Sequence, residues 1–239
     1  MLTELKPSTR ELLRNFNRSF PQFYEQFVSS EIQLLNLRLA YQLYKNQQAV
    51  IEIKPEGNKT AIQFAYRNQS YILSDIFGLL AIYGLTIHSI NLHAQIRSSR
   101  LVFMHLMVSR HEKPLTLKTT QSLERNIRSA LRGNLDVKYL LANRLKLPVE
   151  PQRVETQFYI DPVFHLPTLL IDANNNPKLF YQVMHAIWQE DLLVVNANLL
   201  LWRGQTRLIF YLLGPDESLI PDYLGQKIAE SVRQRLAED

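Results

Sequence analysis

Four histidines, His88, His93, His105 and His111, lie close together in the chain. Clustered histidines raise metal binding first, because imidazole is a common zinc ligand. The spacing argues against it: His88 and His93 are five apart on one strand pattern, so alternation sends them to opposite faces, and the four fit no common zinc pattern. Asp75 sits within a helix pattern and Asp172 near a strand end, each without an obvious partner for acid–base work. There is no cysteine, no nucleophile turn in a Ser-His-Asp order and no glycine-rich phosphate loop. No metal, cofactor or catalytic residue is expected, and an enzyme is not the reading these residues favour.

Two polar turns offer binding chemistry instead. Asn68, Gln69, Ser70 and Tyr71 precede one helix pattern, and Asn175, Asn176, Pro177 and Lys178 precede another. Asn amides can hydrogen-bond an amino or carboxylate group, and Lys178 can pair with a carboxylate. A helix N-terminus adds partial positive charge at the same place. The plainer alternative is that Asn, Ser and Pro are good turn and helix-start residues. His88 and Asn198, on the strands that follow the two helices, complete the ligand-binding candidates.

The elements that must position these turns read as follows. The N-terminal region is helical, with capping-box spacing at Ser8/Glu11 and Ser30/Gln33 and a break at Pro21. Ile32, Leu35, Leu39 and Leu43 mark one helical face, with Tyr41 and Tyr44 beside it. Phe16, Phe20, Phe23, Tyr24 and Phe27 are expected to fill the gap between helix and sheet. Strands at 49–53 and 60–66 lead to a helix over 70–83, stopped by Gly84. A hairpin around 97–99 and two helices, one ending near Gly133, follow. After the proline-bearing stretch 148–153, strands at 154–160 and 166–173 lead to a helix over 177–189, a second hairpin and a last helix opened by Pro221.

The second series repeats the first. Adding 107 takes Ile72, Ile76 and Leu80 to Leu179, Val183 and Ile187, and Leu85 and Ile87 to Leu192 and Val194. It takes Asn91 to Asn198, and Arg100, Leu101, Val102 and Phe103 to Arg207, Leu208, Ile209 and Phe210. The expectation is therefore a helical segment over 1–47, a first unit over 48–147, a linker over 148–153 and a second unit over 154–239. Each unit reads β-β-α-β-β-α, and the fold class is α+β: two ferredoxin-like α/β sandwiches with antiparallel sheets.

Bulk properties narrow the partners. The net charge is +5 and the pI about 9.4, so acidic partners must be considered. Lys and Arg are scattered, however, and the run Arg125, Arg128, Arg132, Lys138, Arg144 and Lys146 reads as a solvated face. The absence of cysteine suits a reducing compartment. The N-terminus has charges spread through it, so no secretory signal is expected. The uncharged run 76–96 has the length of a membrane span but carries Gln, Asn, Ser, Thr and two His, so no span is expected. The expected location is cytoplasmic.

A short turn, an amphipathic helix and then "GLTIHSINLH" resembles the ACT domain, a small-molecule-binding module. Two such units behind "FPQFYEQFVSSEIQLLNLRLA" resemble the C-terminal regulatory region of the bacterial PII uridylyltransferase/uridylyl-removing enzyme over roughly 20–236. The resemblance implies tandem ACT domains that sense an amino acid, glutamine first, and modulate an enzyme or signalling protein of nitrogen or amino-acid metabolism. ACT units act in pairs, so the resemblance also implies effector turns at an interface, within one chain or across a homodimer. The departure is in the turns, since both lack the glycine and acidic residue usual in amino-acid-binding ACT domains. Alternatives follow: a degenerate pair that binds no small molecule and serves as a protein-interaction scaffold, or an RNA-binding ferredoxin-like pair. RNA readers of this topology need exposed aromatics on central strands, one within a basic-Gly-aromatic pattern; "RLVFMHLMVS" has no glycine and few aromatics, so nucleic acid is not expected.

Overall fold

Apolar alternation and a few left-handed stops lay out sixteen elements among the described residues of the computed structural model, which are 7–67, 72–96, 101–144, 154–174, 178–202 and 205–238. Three helices come first: α1 (Pro7–Asn17), α2 (Phe23–Phe27) and α3 (Ser30–Asn46). The first half follows as β1 (Val50–Glu56), β2 (Lys59–Arg67), α4 (Ile72–Ile82), β3 (Thr86–Ala94), β4 (Leu101–Ser109), α5 (Leu117–Leu131) and α6 (Val137–Arg144). The second half contains β5 (Val154–Ile160), β6 (Pro167–Asn174), α7 (Leu179–Gln189), β7 (Leu193–Trp202), β8 (Gln205–Leu213) and α8 (Asp222–Glu238). The stretches 68–71, 97–99, 148–153 and 175–177 lie outside the described residues.

The fold is α+β with one eight-stranded antiparallel sheet, in the order β1-β2-β4-β3-β7-β8-β6-β5. The order is a mirror about the β3–β7 junction, as two equal halves joined edge to edge would give. α4, α5, α7 and α8 bury one face. One apolar core runs through both halves, from Ile62, Phe64 and Met104 through Phe77 and Phe180 to Leu169, Phe210 and Val232. Phe77 and Phe180 stack across the junction at 5.5 Å. No helix among the described residues is long and apolar enough to cross a membrane.

Equivalent irregularities mark the repeat more firmly than equivalent leucines do. In β3 the pairing steps from Ile87↔Val108 to Ser89↔Met107, leaving His88 as a bulge; in β7 it steps from Val194↔Leu212 to Asn196↔Tyr211, leaving Val195. The two bulges are 107 positions apart. The helix stops agree too: Gly84 (φ 65°) closes α4 with Leu85 N–H donating to the Leu80 carbonyl, and Asp191 (φ 55°) closes α7 with Leu192 donating to Ile187. A left-handed residue is what such a stop requires.

The gap-free correspondence ends after β3. Ile87 to Val194 is 107 positions, but their partners Val108 and Leu212 are only 104 apart. Carrying 107 into β4 sets Leu101 and Phe103, which face the N-terminal helices, against Leu208 and Phe210, which face the other layer. The match of Leu-Val-Phe with Leu-Ile-Phe is thus one of composition, because a one-residue change of parity moves every side chain to the opposite face. Six residues separate β3 from β4, but only two separate β7 from β8.

The N-terminal helices cover the other face of the first half. α3 lies on β1, β2 and β4, and Phe16, Phe20, Tyr24, Leu39 and Leu43 pack on Ala65, Leu101 and Phe103. Phe103 is therefore covered and unavailable for base stacking. Ser29 rather than Ser30 caps α3, its hydroxyl accepting from Ile32 N–H. Leu39 and Leu43 of the predicted stripe are buried and Leu35 packs beside them, but Gln33, Asn36 and Ala40 share the buried face, while Tyr41, Tyr44 and Phe27 are exposed. Gln33 is the pin of this layer, accepting from Asn17 Nδ2 at 2.8 Å and donating to the Val28 carbonyl at 2.7 Å. Arg128 of the basic run is not merely solvated, since it bonds Glu124 and the Ala49 carbonyl.

Candidate functional site

The junction between the halves is short: Asn91↔Asn198, Leu92↔Ala197 and His93↔Asn196. Asn91 and Asn198 are equivalent positions of the repeat and face each other, so the local two-fold axis passes between them. Alternation then turns Leu92 and Ala197 into the apolar core and leaves Asn91, His93, Asn196 and Asn198 on the opposite face. Asparagine is depleted in strands, so three of them on one pair of edges need a reason.

Their side chains form a chain. Asn198 Nδ2 donates to Asn196 Oδ1 at 2.7 Å, and Asn196 Nδ2 donates to His93 Nδ1 at 2.9 Å. His93 is thereby assigned as the tautomer protonated on Nε2. The edge of its ring meets Tyr24 at 5.2 Å, and Tyr24 stacks on Phe20 at 3.9 Å. The Tyr24 hydroxyl accepts from Asn36 Nδ2 (2.8 Å), and Asn36 Oδ1 accepts from His105 Nε2 (2.7 Å). Burial holds both imidazoles neutral: His93 is pushed down to about 3, with His105 nearby adding to the effect, and His105 to about 4, with Arg38 adding. His105 Nδ1 has no hydrogen-bond partner among the described residues. Burial likewise raises the Tyr24 hydroxyl.

Above this polar floor is a cavity of about 270 Å³. Phe23 and Phe27 of α2 form one wall, Phe164 and Tyr211 the other, and Ser29 and Ile32 bring in the start of α3. The aromatic wall is continuous, with Phe23–Phe164 at 5.1 Å, Phe27–Phe164 at 4.9 Å and Phe164–Tyr211 at 5.4 Å. Phe164 is held by a turn in which Asp161 Oδ1 accepts from the Val163 and Phe164 amides, each at 2.8 Å. Asp161 Oδ2 accepts from the Tyr211 hydroxyl at 3.3 Å, and burial, with the negative charge of Asp161 beside it, raises that hydroxyl. No charged residue lines the cavity among the described residues. Its volume is near the lower end of the roughly 300–1,000 Å³ usual for small-molecule pockets. A ligand of amino-acid size suits it, with amides below, rings beside and a helix N-terminus at the rim.

Of the predicted site residues that are among the described ones (His88, Lys178 and Asn198), Asn198 lines this cavity. Asn68, Gln69, Ser70, Tyr71, Asn175, Asn176 and Pro177 lie outside the described residues. The residues flanking the first turn, Arg67 and Ile72, line a separate cavity of about 490 Å³ with Tyr66, Arg128 and Arg132. Lys178 lines another, of about 410 Å³, between α6, α7 and α8. His88 is half-buried and bonds Ser109 Oγ at 2.8 Å through Nε2. Ser109 shares its face with His105, and so does His93. The bulge at His88 reverses the alternation, so His88 and His93 lie on the same face, not on opposite ones. Among the described residues no three His, Asp or Glu come together to hold a metal ion.

No family model and no curated protein matches this chain. Among solved structures, the double ringed trimeric shell protein of the RMM microcompartment is similar over 78% of this chain and 93% of its own, at 12% identity and a TM-score of 0.21.

Proposed function

We propose that this chain is a non-catalytic, cytoplasmic regulatory protein made of two ferredoxin-like, ACT-type units that bind one amino-acid effector, glutamine first, over their junction. The observation that carries the reading is the polar floor on the local two-fold axis, closed into a cavity by the helical layer. The strand order of each half and its two-helix layer support the ferredoxin-like assignment. The edge-to-edge junction supports pairing within one chain. An effector there touches α2, α3 and both halves of the sheet at once. It can therefore favour one arrangement of the helical layer over another, which is the differential binding that any allosteric signal requires. The receiver of that signal is an enzyme or signalling protein of nitrogen or amino-acid metabolism, which reads the outer surface of the helical layer.

The test is a thermal-shift screen of the full chain against the twenty amino acids. A site saturated at about a hundred times its dissociation constant adds roughly 2.7 kcal/mol to stability. Stabilisation by glutamine that is lost in Asn196→Ala supports the reading. No stabilisation by any amino acid would leave the scaffold reading in its place.

A further inference from the structure

The hydrogen-bonded chain in the cavity floor leaves two of its three asparagines open. Asn196 is buried and used at both ends: its Nδ2 donates to His93 Nδ1 at 2.9 Å, and its Oδ1 accepts from Asn198 Nδ2 at 2.7 Å. His93 sets the direction. With its Nδ1 accepting, Asn196 must turn its oxygen to Asn198, and Asn198 must turn its NH₂ to Asn196. Asn198 is half-buried and lines the cavity, and its Oδ1 has no hydrogen-bond partner among the described residues. It therefore offers the cavity an acceptor held in place. Its cross-strand partner Asn91 is exposed, lines the same cavity and makes no side-chain hydrogen bond among the described residues. Directly paired residues hold their Cβ atoms about 4.5–5.5 Å apart, so two open amides stand side by side across the local two-fold axis.

We propose that Asn91 and Asn198 read a primary carboxamide, so that the cavity takes a neutral amide end and refuses the matching carboxylate. Asn198 Oδ1 accepts from the NH₂ of the ligand. The amide of Asn91, free to turn, donates to the ligand oxygen. A carboxylate has no hydrogen for Asn198 Oδ1, and taking an unpaired charge out of water is costly. No cation lines the cavity among the described residues to offset that cost. The charge held against Tyr211 in the wall, that of Asp161, has the same sign as the carboxylate. The rings of Phe23, Phe164 and Tyr211 then flank the apolar stem of the ligand. The inference deepens the effector reading and rests on it for the cavity as the binding site. It does not need the amino-acid end of the ligand, which is left toward the rim.

Calorimetric titration of the full chain with glutamine, glutamate and glutaramide, a diamide without an amino-acid end, tests it. Glutamine and glutaramide bind, and glutamate binds about tenfold or more weakly, as an unmade hydrogen bond requires. Asn91→Ala, at an exposed position without a native hydrogen bond to lose, weakens both amides severalfold. Asn198→Lys, which puts a cation where the acceptor stood, turns the preference to glutamate. Binding of glutaramide without glutamine would support the carboxamide pair and remove the amino-acid reading. Equal binding of glutamine and glutamate, or a preference for glutamine unchanged in Asn198→Lys, overturns the inference and leaves the amino-acid reading in place. No binding of either amide overturns it, whichever other amino acid binds.

Discussion

Acid should unfold this protein earlier than its carboxylates alone would. His93 and His105 carry an ordinary imidazole pKa of 6.5 in the unfolded chain, but titrate at about 3 and about 4 in the fold. Between those values the unfolded state holds more protons than the folded state. Stability therefore rises with pH through the window and falls as pH drops below 6.5. At about 1.4 kcal/mol per pH unit for each ring, a change from pH 8 to pH 5 costs about 2 kcal/mol per histidine and about 4 for the two. Asp75 works the other way. Burial and the nearby Asp136 raise its carboxyl from 3.8 to about 6, so the fold gains a proton there before the unfolded chain does. That restores about 1 kcal/mol by pH 5, leaving a net loss of about 3 kcal/mol. For a chain of this size the melting temperature should fall by roughly 6–12 °C. Urea melts at pH 5, 6, 7 and 8 measure this directly. His105→Gln keeps a donor for Asn36 while removing the titration, and should cut the loss to about 1 kcal/mol. An acid loss in that variant as large as in the wild type would refute the assignment of neutral, buried histidines.

Three further outcomes are expected. Gly225→Ala should lower the melting temperature although alanine is the better helix former. The added Cβ would overlap the Phe158 ring, an overpacking cost of about 1–3 kcal/mol. Asn36→Leu leaves the Tyr24 hydroxyl and His105 Nε2 buried without partners, and should cost about 2–5 kcal/mol in a denaturant melt. Asp191→Gly relieves a left-handed residue at the end of α7 and should raise stability by up to about 1 kcal/mol.

The duplicated layout was legible because each unit carries its own turn, amphipathic helix and stop, and these depend on neighbours in sequence. Ile72, Ile76 and Leu80 and their counterparts Leu179, Val183 and Ile187 are all buried as the repeat requires. Register was not legible. A three-residue difference between two hairpins cannot be seen when both strands are apolar throughout, and a bulge at His88 reverses faces without any mark in composition. The site was harder still. His93 and Asn196 meet only because two edge strands join, and Asn36 is satisfied inside only because Tyr24 and His105, distant in sequence, meet its amide. One signal was present: three asparagines and a histidine, at Asn91, Asn196, Asn198 and His93, within strands that otherwise read as buried.

The most direct test of an effector over the junction is NMR of protein labelled with ¹⁵N in its histidine rings, titrated with glutamine. His93 is the histidine in the cavity floor, His88 bonds Ser109 outside the cavity, and His111 stands in an exposed turn. With glutamine bound over the junction, the His93 ring signals shift and saturate while those of His88 and His111 stay in place. Saturable binding that leaves His93 unmoved, or no response at any concentration of glutamine or the other amino acids, would contradict an effector there.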